Sequence, residues 1–266
     1  MRVMNFNFLT EKEANQFYFY VLNTEFNGKV FLKGHSVQLR DFHVLKKTSL
    51  IDLIYPYILE SYVPKISEKI LMDTYYYQRD EVEQIIPFIT SICETTKLLH
   101  SRLRFSLYER LIYFLYGYMQ RSEVDMGRLY AELFEHEESW KEIVGYGIEE
   151  WLYELHFQEK MHELRQYLKN EPPAIDSVTV YLDGSAVFYD RNGQIIEPTH
   201  FNNQFRFNVL DHEYPEVLSS LLSIAPEEVN LYTANEQMHL VYFLLNVFQE
   251  KVKLFPIEQF PYKIKE

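Results

Sequence analysis

Apolar and polar positions follow different periods along the chain, and those periods predict its elements. Val3 to Leu9 alternates in the manner of a strand. Thr10 then stands where an N-cap belongs, with Glu13 three residues on, the spacing of a capping box; this predicts a helix closed by Asn27-Gly28. Lys29 to Leu32 and Val37 to Leu39 are short β-type runs around Gly34, the pattern of a hairpin. From Thr48 to about Asn170 the period becomes helical. Leu107, Leu111, Phe114, Leu115 and Tyr118 recur at helical spacing, as do Phe157, Met161, Leu164 and Leu168, and Pro56, Pro64 and Pro87 are the only prolines in that stretch.

Glu171-Pro172-Pro173 ends the helical region, because proline lacks the donor N–H and restricts the residue before it. Val178 to Leu182, Ser185 to Tyr189 and Gln194 to Glu197 then read as a three-strand meander, with Asp183-Gly184 and Asn192-Gly193 supplying its tight turns. Beyond it, Tyr214 to Ile224 predicts a helix, Glu228 to Tyr232 a strand, Asn235 to Gln249 a helix and Lys251 to Phe255 a strand. Strand, helix and strand in that order form a crossover unit with parallel strands. The expected fold class is α+β: a small N-terminal α/β element (1–47), a mostly helical middle (48–170), and a C-terminal region (171–266) with a β-meander and a βαβ-like unit.

Composition narrows the function classes. At 266 residues, 47% hydrophobic and 24% charged, the chain matches a soluble globular protein. Its single cysteine, Cys93, excludes a disulfide framework within the chain and reads as a small buried apolar side chain. The first residues contain no apolar run of signal-peptide length, and the most apolar segment, His239 to Phe248, is too short to span a bilayer. The expected compartment is the cytoplasm, with no membrane partner. A net charge of -13 argues against nucleic acid over most of the surface. That charge is uneven: residues 1–50 carry seven basic and four acidic residues, hence +3, which leaves -16 for the rest. A second basic stretch runs from Lys97 through Arg102, Arg104, Arg110 and Arg121 to Arg128.

No linear motif announces a chemistry. Walker A, Gly-x-Gly-x-x-Gly, Gly-x-Ser-x-Gly and His-Glu-x-x-His sequences are all absent. Glu159 and His162 have the Glu-x-x-His spacing that places a carboxylate and an imidazole on one helix face, but di-iron bundles also need carboxylates from two further helices. Ten glutamates lie between Tyr130 and Arg165, so one chance match is expected and a solvated acidic face is the better account. His35, Asp41 and His43 are a second loose cluster of the same standing. Gly145-Tyr146-Gly147 reads as a helix break or a close packing point. No cofactor is expected.

Aromatic residues are the unusual feature, with 22 Tyr, 20 Phe and two Trp. A tyrosine buries its ring while its hydroxyl stays wet, which suits both cores with wet edges and protein interfaces. Tyr75, Tyr76 and Tyr77, read as consecutive helical residues, would point in three directions about 100° apart, so at least one must face solvent or a partner. With Trp140 and Trp151 they are the candidate interface residues, for a protein partner or a second copy of the chain. Arg102, Arg104 and Arg110, with tyrosines beyond them, are the candidates for the alternative of phosphate contact and base stacking. A third alternative is a metal-dependent enzyme using Glu159 and His162.

Four segments carry a family likeness: VDMGRLYAELFEHEESWKEIV (Val124 to Val144), EPPAIDSVTVYL (Glu171 to Leu182), LLSIAPEEVNLY (Leu221 to Tyr232) and LNVFQEKVKLF (Leu245 to Phe255). In this order and spacing, over about residues 120 to 256, the chain resembles the YtxC-like family of sporulation proteins from endospore-forming Firmicutes. The resemblance implies a cytoplasmic protein of spore formers and assigns no site residue. Together with the tyrosine excess it leads to the expectation of a non-enzymatic binding or regulatory protein that works through protein contacts.

Overall fold

In the computed structural model the described residues are 3–40, 48–94, 113, 122–135, 137–196 and 215–262. They fall into two units, Met1–Tyr153 and Glu154–Glu266, each with its own hydrophobic core. The α+β class expected from the sequence is the class observed.

The first unit begins with β1 (Val3–Asn7) and α1 (Glu11–Leu22). Thr10 caps α1 as expected, its Oγ1 accepting from the Glu13 N–H at 3.2 Å. Strands β2 (Lys29–Lys33) and β3 (Ser36–Arg40) form the predicted hairpin. β3 pairs antiparallel with β1 as well, and β4 (Glu123–Asp125) adds to β1 in parallel, which gives a four-stranded sheet in the order β2-β3-β1-β4. The helical reading of 48–170 therefore needs correction at β4. Three residues are too few to show a period of two, and this strand exists because the Ser122 carbonyl accepts the Asn5 N–H at 3.0 Å.

Helices α2 (Thr48–Ser61), α3 (Val63–Asp73), α4 (Arg79–Glu94), α5 (Met126–Phe134) and the first half of α6 (Glu137–Asn170) complete this unit. Asp125 caps α5 by accepting from the Arg128 N–H at 3.0 Å. The inner face of the sheet, Met4, Phe6, Val37 and Leu39, packs with Ala14, Phe17 and Val21 of α1. Phe6 and Phe17 are wholly buried, and each such ring contributes roughly 1.5–3 kcal/mol through the water it leaves. The Gly145-Tyr146-Gly147 segment does not break α6; it is a packing point. A Cβ at Gly147 would come within 2.3 Å of Ile89 Cγ1 and 3.3 Å of the Ile89 backbone, so only glycine lets α4 approach that closely. The helical run predicted from Leu107 to Tyr118 lies outside the described residues.

The second unit contains the rest of α6, β5 (Ser177–Asp183), β6 (Ser185–Tyr189), α7 (Pro215–Ile224), β7 (Glu228–Thr233), α8 (His239–Phe248) and β8 (Val252–Pro256). Gly184 at φ 68 separates β5 from β6, as the Asp-Gly turn predicts. The third strand of the meander shrinks to a single bridge, Tyr189 to Ile195. There the Asp190 carboxylate accepts from the N–H groups of Asn192 and Gln194 at 2.9 and 2.7 Å and closes a compact turn. The crossover unit appears as expected, with β7 and β8 parallel. β7 also pairs in parallel with β5, so the sheet order is β6-β5-β7-β8. One face, Val178, Val180, Leu182, Val229 and Leu231, packs with Met161, Leu164 and Leu168 of α6 and with α7 and α8.

Candidate functional site

Tyr75, Tyr76 and Tyr77 are not helical. α3 ends at Asp73 and α4 opens at Arg79, so the three tyrosines form the connection. Tyr76 adopts φ 60, the left-handed conformation that helix C-termini usually reserve for glycine and that is strained for an aromatic residue. Its neighbours hold it there. The Tyr75 hydroxyl donates to the Lys141 carbonyl of α6 at 3.1 Å, and the Tyr77 ring meets Trp151 edge-on with centroids 5.9 Å apart. The Tyr77 N–H also returns to the Leu71 carbonyl at 3.1 Å. Burial raises the Tyr77 phenol above its ordinary value, with Glu81 adding to the shift. Between these anchors Tyr76 is 79% exposed, with Met72 at 43% exposure on the preceding turn. The result is an exposed tyrosine whose backbone is anchored on both sides.

The other candidate residues divide. Trp140 is a correction: it is buried to 1% exposure, packs against Phe134 at 4.6 Å between ring centroids and donates from Nε1 to the Leu133 carbonyl. A residue with its ring and its one donor both satisfied inside the unit offers nothing to a partner. Trp151 is half-buried and serves as the seat for Tyr77. Glu159 and His162 lie exposed on α6, and among the described residues no group of three His, Cys, Asp or Glu side chains is placed to hold a metal ion. Arg102, Arg104 and Arg110 lie outside the described residues, as do Asp41 and His43. His35 sits in the β2–β3 turn, where its carbonyl accepts the Phe8 N–H at 2.9 Å. Cys93 is buried as expected, and burial pushes its thiol up to about 12, far from a reactive thiolate.

Many of the described rings in the first unit lie in its core or against it. Rings follow one another from β1 to α6: Phe6 to Phe17 at 5.0 Å, Phe17 to Tyr57 at 4.8 Å and Tyr57 to Tyr62 at 5.7 Å. Tyr62 to Tyr130 at 5.2 Å, Tyr130 to Phe134 at 4.7 Å and Phe134 to Trp140 continue the chain. Burial pushes the Tyr57 hydroxyl up to about 12 and that of Tyr62 higher still, so neither ionises near neutral pH.

A second aromatic surface escaped the sequence reading. The face of the C-terminal sheet opposite its aliphatic core carries Tyr181, Tyr232 and Phe255, with Tyr232 and Phe255 stacked at 5.0 Å. Phe260, from the segment after β8, lies within 4.7 to 5.4 Å of Tyr181, Tyr189 and Tyr232. Tyr262 joins at 5.6 Å. Beside this patch Glu228 pairs with Lys253 at 2.5 Å and accepts from Asn230 at 2.9 Å, and both contacts hold its carboxyl below the usual range. Alternation along β5 and β7, Val180 against Tyr181 and Leu231 against Tyr232, is the signal that could have revealed it.

Among the described residues no helix is long and apolar enough to cross a membrane. The YtxC-like family model matches residues 48–253. The Uncharacterized protein YtxC of Bacillus subtilis (strain 168) is 27% identical over 203 residues, covering 72% of this chain and 70% of that protein. No solved structure matches. A match over that much of the chain agrees with the four segments that first suggested it and extends the likeness to the helices that hold the tyrosine loop: the chain belongs to the YtxC-like family.

Proposed function

We propose that this chain is a non-enzymatic binding or regulatory protein of the cytoplasm, acting during sporulation through contacts with another protein, and that Tyr76 is an anchor of that contact. One observation carries the reading: an exposed tyrosine kept at a strained φ of 60 by a hydrogen bond on one side and a ring contact on the other. Strain of this kind costs on the order of 1–3 kcal/mol and persists only where surrounding contacts over-determine it. A tyrosine on an anchored backbone has few torsions left to order on binding, which suits it to interface hot spots. Family membership supports the sporulation setting.

The test is purification of the tagged full chain from sporulating cells of its own host, divided into nuclease-treated and untreated halves. A stoichiometric protein that survives nuclease and is lost with Tyr76→Ala supports the proposal. Co-purifying material that disappears on nuclease treatment would replace it with nucleic-acid binding through the basic stretch 97–128.

A further inference from the structure

The chain leaves the second sheet at one end of its strand order and returns across it. β8 and β6 stand at opposite ends of the order β6-β5-β7-β8. After β8 a 3-10 turn, Ile257–Gln259, redirects the backbone. Phe260 then lies against a ring on each of the other three strands: Tyr232 of β7, Tyr181 of β5 and Tyr189 of β6. Tyr262 reaches past β6, its ring beside Tyr189 and its hydroxyl donating to the Arg191 carbonyl at 3.3 Å. A Cβ at Gly193 would come within 2.6 Å of Tyr262 Cδ1, so glycine in that turn makes the room the ring occupies.

The segment occupies a seat with a definite chemistry. Phe188 belongs to the aliphatic core, so Tyr189, next along β6, points to the opposite face. It is nevertheless only 2% exposed, covered there by Phe260 and Tyr262. Phe260 has φ -60 and ψ 125, close to polyproline II, and Pro261 after it favours that region for the residue it follows. An extended aromatic-proline-aromatic stretch thus lies across a platform of tyrosines. Proline-rich segments dock aromatic-lined surfaces in this way because their conformation is set before binding. What marks the face is the segment it holds, not its aromatic content.

We infer that this face is a docking site for an extended aromatic-proline-aromatic segment of a partner protein, and that residues 257–262 are its tethered competitor. The partner's first ring takes the place of Phe260 among Tyr181, Tyr189 and Tyr232, and its second ring takes the place of Tyr262 over Gly193. A segment tied to β8 competes at an effective concentration on the order of mM, so the closed form is the resting one and weakening the tether opens the face. The site uses no residue of the tyrosine connection, so either proposal can fail alone.

The probe is a labelled peptide with the sequence of residues 256–262, Pro-Ile-Glu-Gln-Phe-Pro-Tyr, titrated into the full chain by fluorescence polarisation. Phe260→Ala combined with Tyr262→Ala should bind it about tenfold or more tightly than the wild-type chain does, because the internal competitor is weakened. Tyr262→Ala alone should fall between them. Alanine in place of the peptide's phenylalanine and tyrosine should abolish binding. The wild-type chain, untouched by mutation, should show a saturable shift of the Gly193 amide resonance at millimolar peptide, so the test holds even where the double variant does not fold. Equal binding by wild type and a folded variant, indifference to the alanine-substituted peptide, or a Gly193 amide unmoved at millimolar peptide would overturn the inference. So would a concentration-dependent dimer of the wild-type chain that the double variant dissolves, which would assign the seat to a second copy.

Discussion

The two sheets use their outer faces in opposite ways. In the N-terminal sheet the core face is apolar and the other is polar, with Gln38 donating to Asn5 at 2.7 Å and Arg40 lying over Phe31. In the C-terminal sheet one face is aliphatic and covered by helices, and the other joins the polar cluster of Glu228, Asn230 and Lys253 to an aromatic patch partly covered by Phe260 and Tyr262 from the segment after β8. The contrast shows that aromatic content is a poor guide to interfaces in this protein. Rings fill the first core and pave the second sheet, so a binding role has to be argued from exceptions such as Tyr76, where an aromatic is exposed and the backbone is strained to expose it.

The contrast can be broken at its strongest point first. Trp140→Ala removes the last ring of the aromatic chain, and a buried aromatic truncated to alanine costs about 3–5 kcal/mol. Urea unfolding read by hydrogen exchange should show amides of β1 and β3 losing protection while those of β5 and β7 keep theirs. Phe260→Ala should do the reverse. It is half-buried, so a loss of about 2 kcal/mol is expected, with reduced near-UV ellipticity from the rings it touches. Gly147→Ala drives a methyl into Ile89, and overpacking of this kind costs roughly 1–3 kcal/mol. A lowered melting temperature checks it, and Ile89→Ala in the same chain should recover part of the loss.

The smallest effect is electrostatic. Lys253 and Asn230 hold the Glu228 carboxyl below its ordinary 4.5. The carboxylate is therefore favoured in the folded state, so its contribution is present above that value and fades as pH falls through the lower, folded one. Glu228 is partly exposed and solvent screens the pair, which limits the contribution to less than about 1 kcal/mol. Glu228→Gln should flatten the acid limb of the stability profile by that amount and leave stability at pH 7 lower by the same margin.

What was legible in the sequence was local. Thr10 and Glu13, the hairpin around Gly34, the Pro172-Pro173 break and the Asp-Gly turn each act within a few residues, and each appears where its chemistry places it. Elements that depend on distant partners leave no local mark: β4 is a strand because β1 lies beside it, and β5 pairs with β7 at a separation of 51 residues, as in Ser177 with Glu228. Tyr75, Tyr76 and Tyr77 lie in a connection and not in a helix: no Gly or Pro marks the end of α3 at Asp73, and the low helix propensity of Asp, Thr and Tyr is a weak signal by itself. Nothing in the sequence around Trp140 separates a core ring from an interface ring, and its burial makes it core. The aromatic sheet face was present in the alternation of β5 and β7, but alternation reveals two faces without saying which neighbours cover them.

The most direct measurement pairs stability with partner retention in Tyr76→Gly. Glycine accepts φ 60 without strain and removes the ring. The account predicts a variant that melts at or above the wild-type temperature, because relief of about 1–3 kcal/mol of strain offsets the roughly 0.5–1 kcal/mol of chain entropy that glycine costs, and that no longer retains the sporulation partner. A variant that melts lower, or one that keeps its partner in full, would contradict the claim that Tyr76 is held under strain in order to bind.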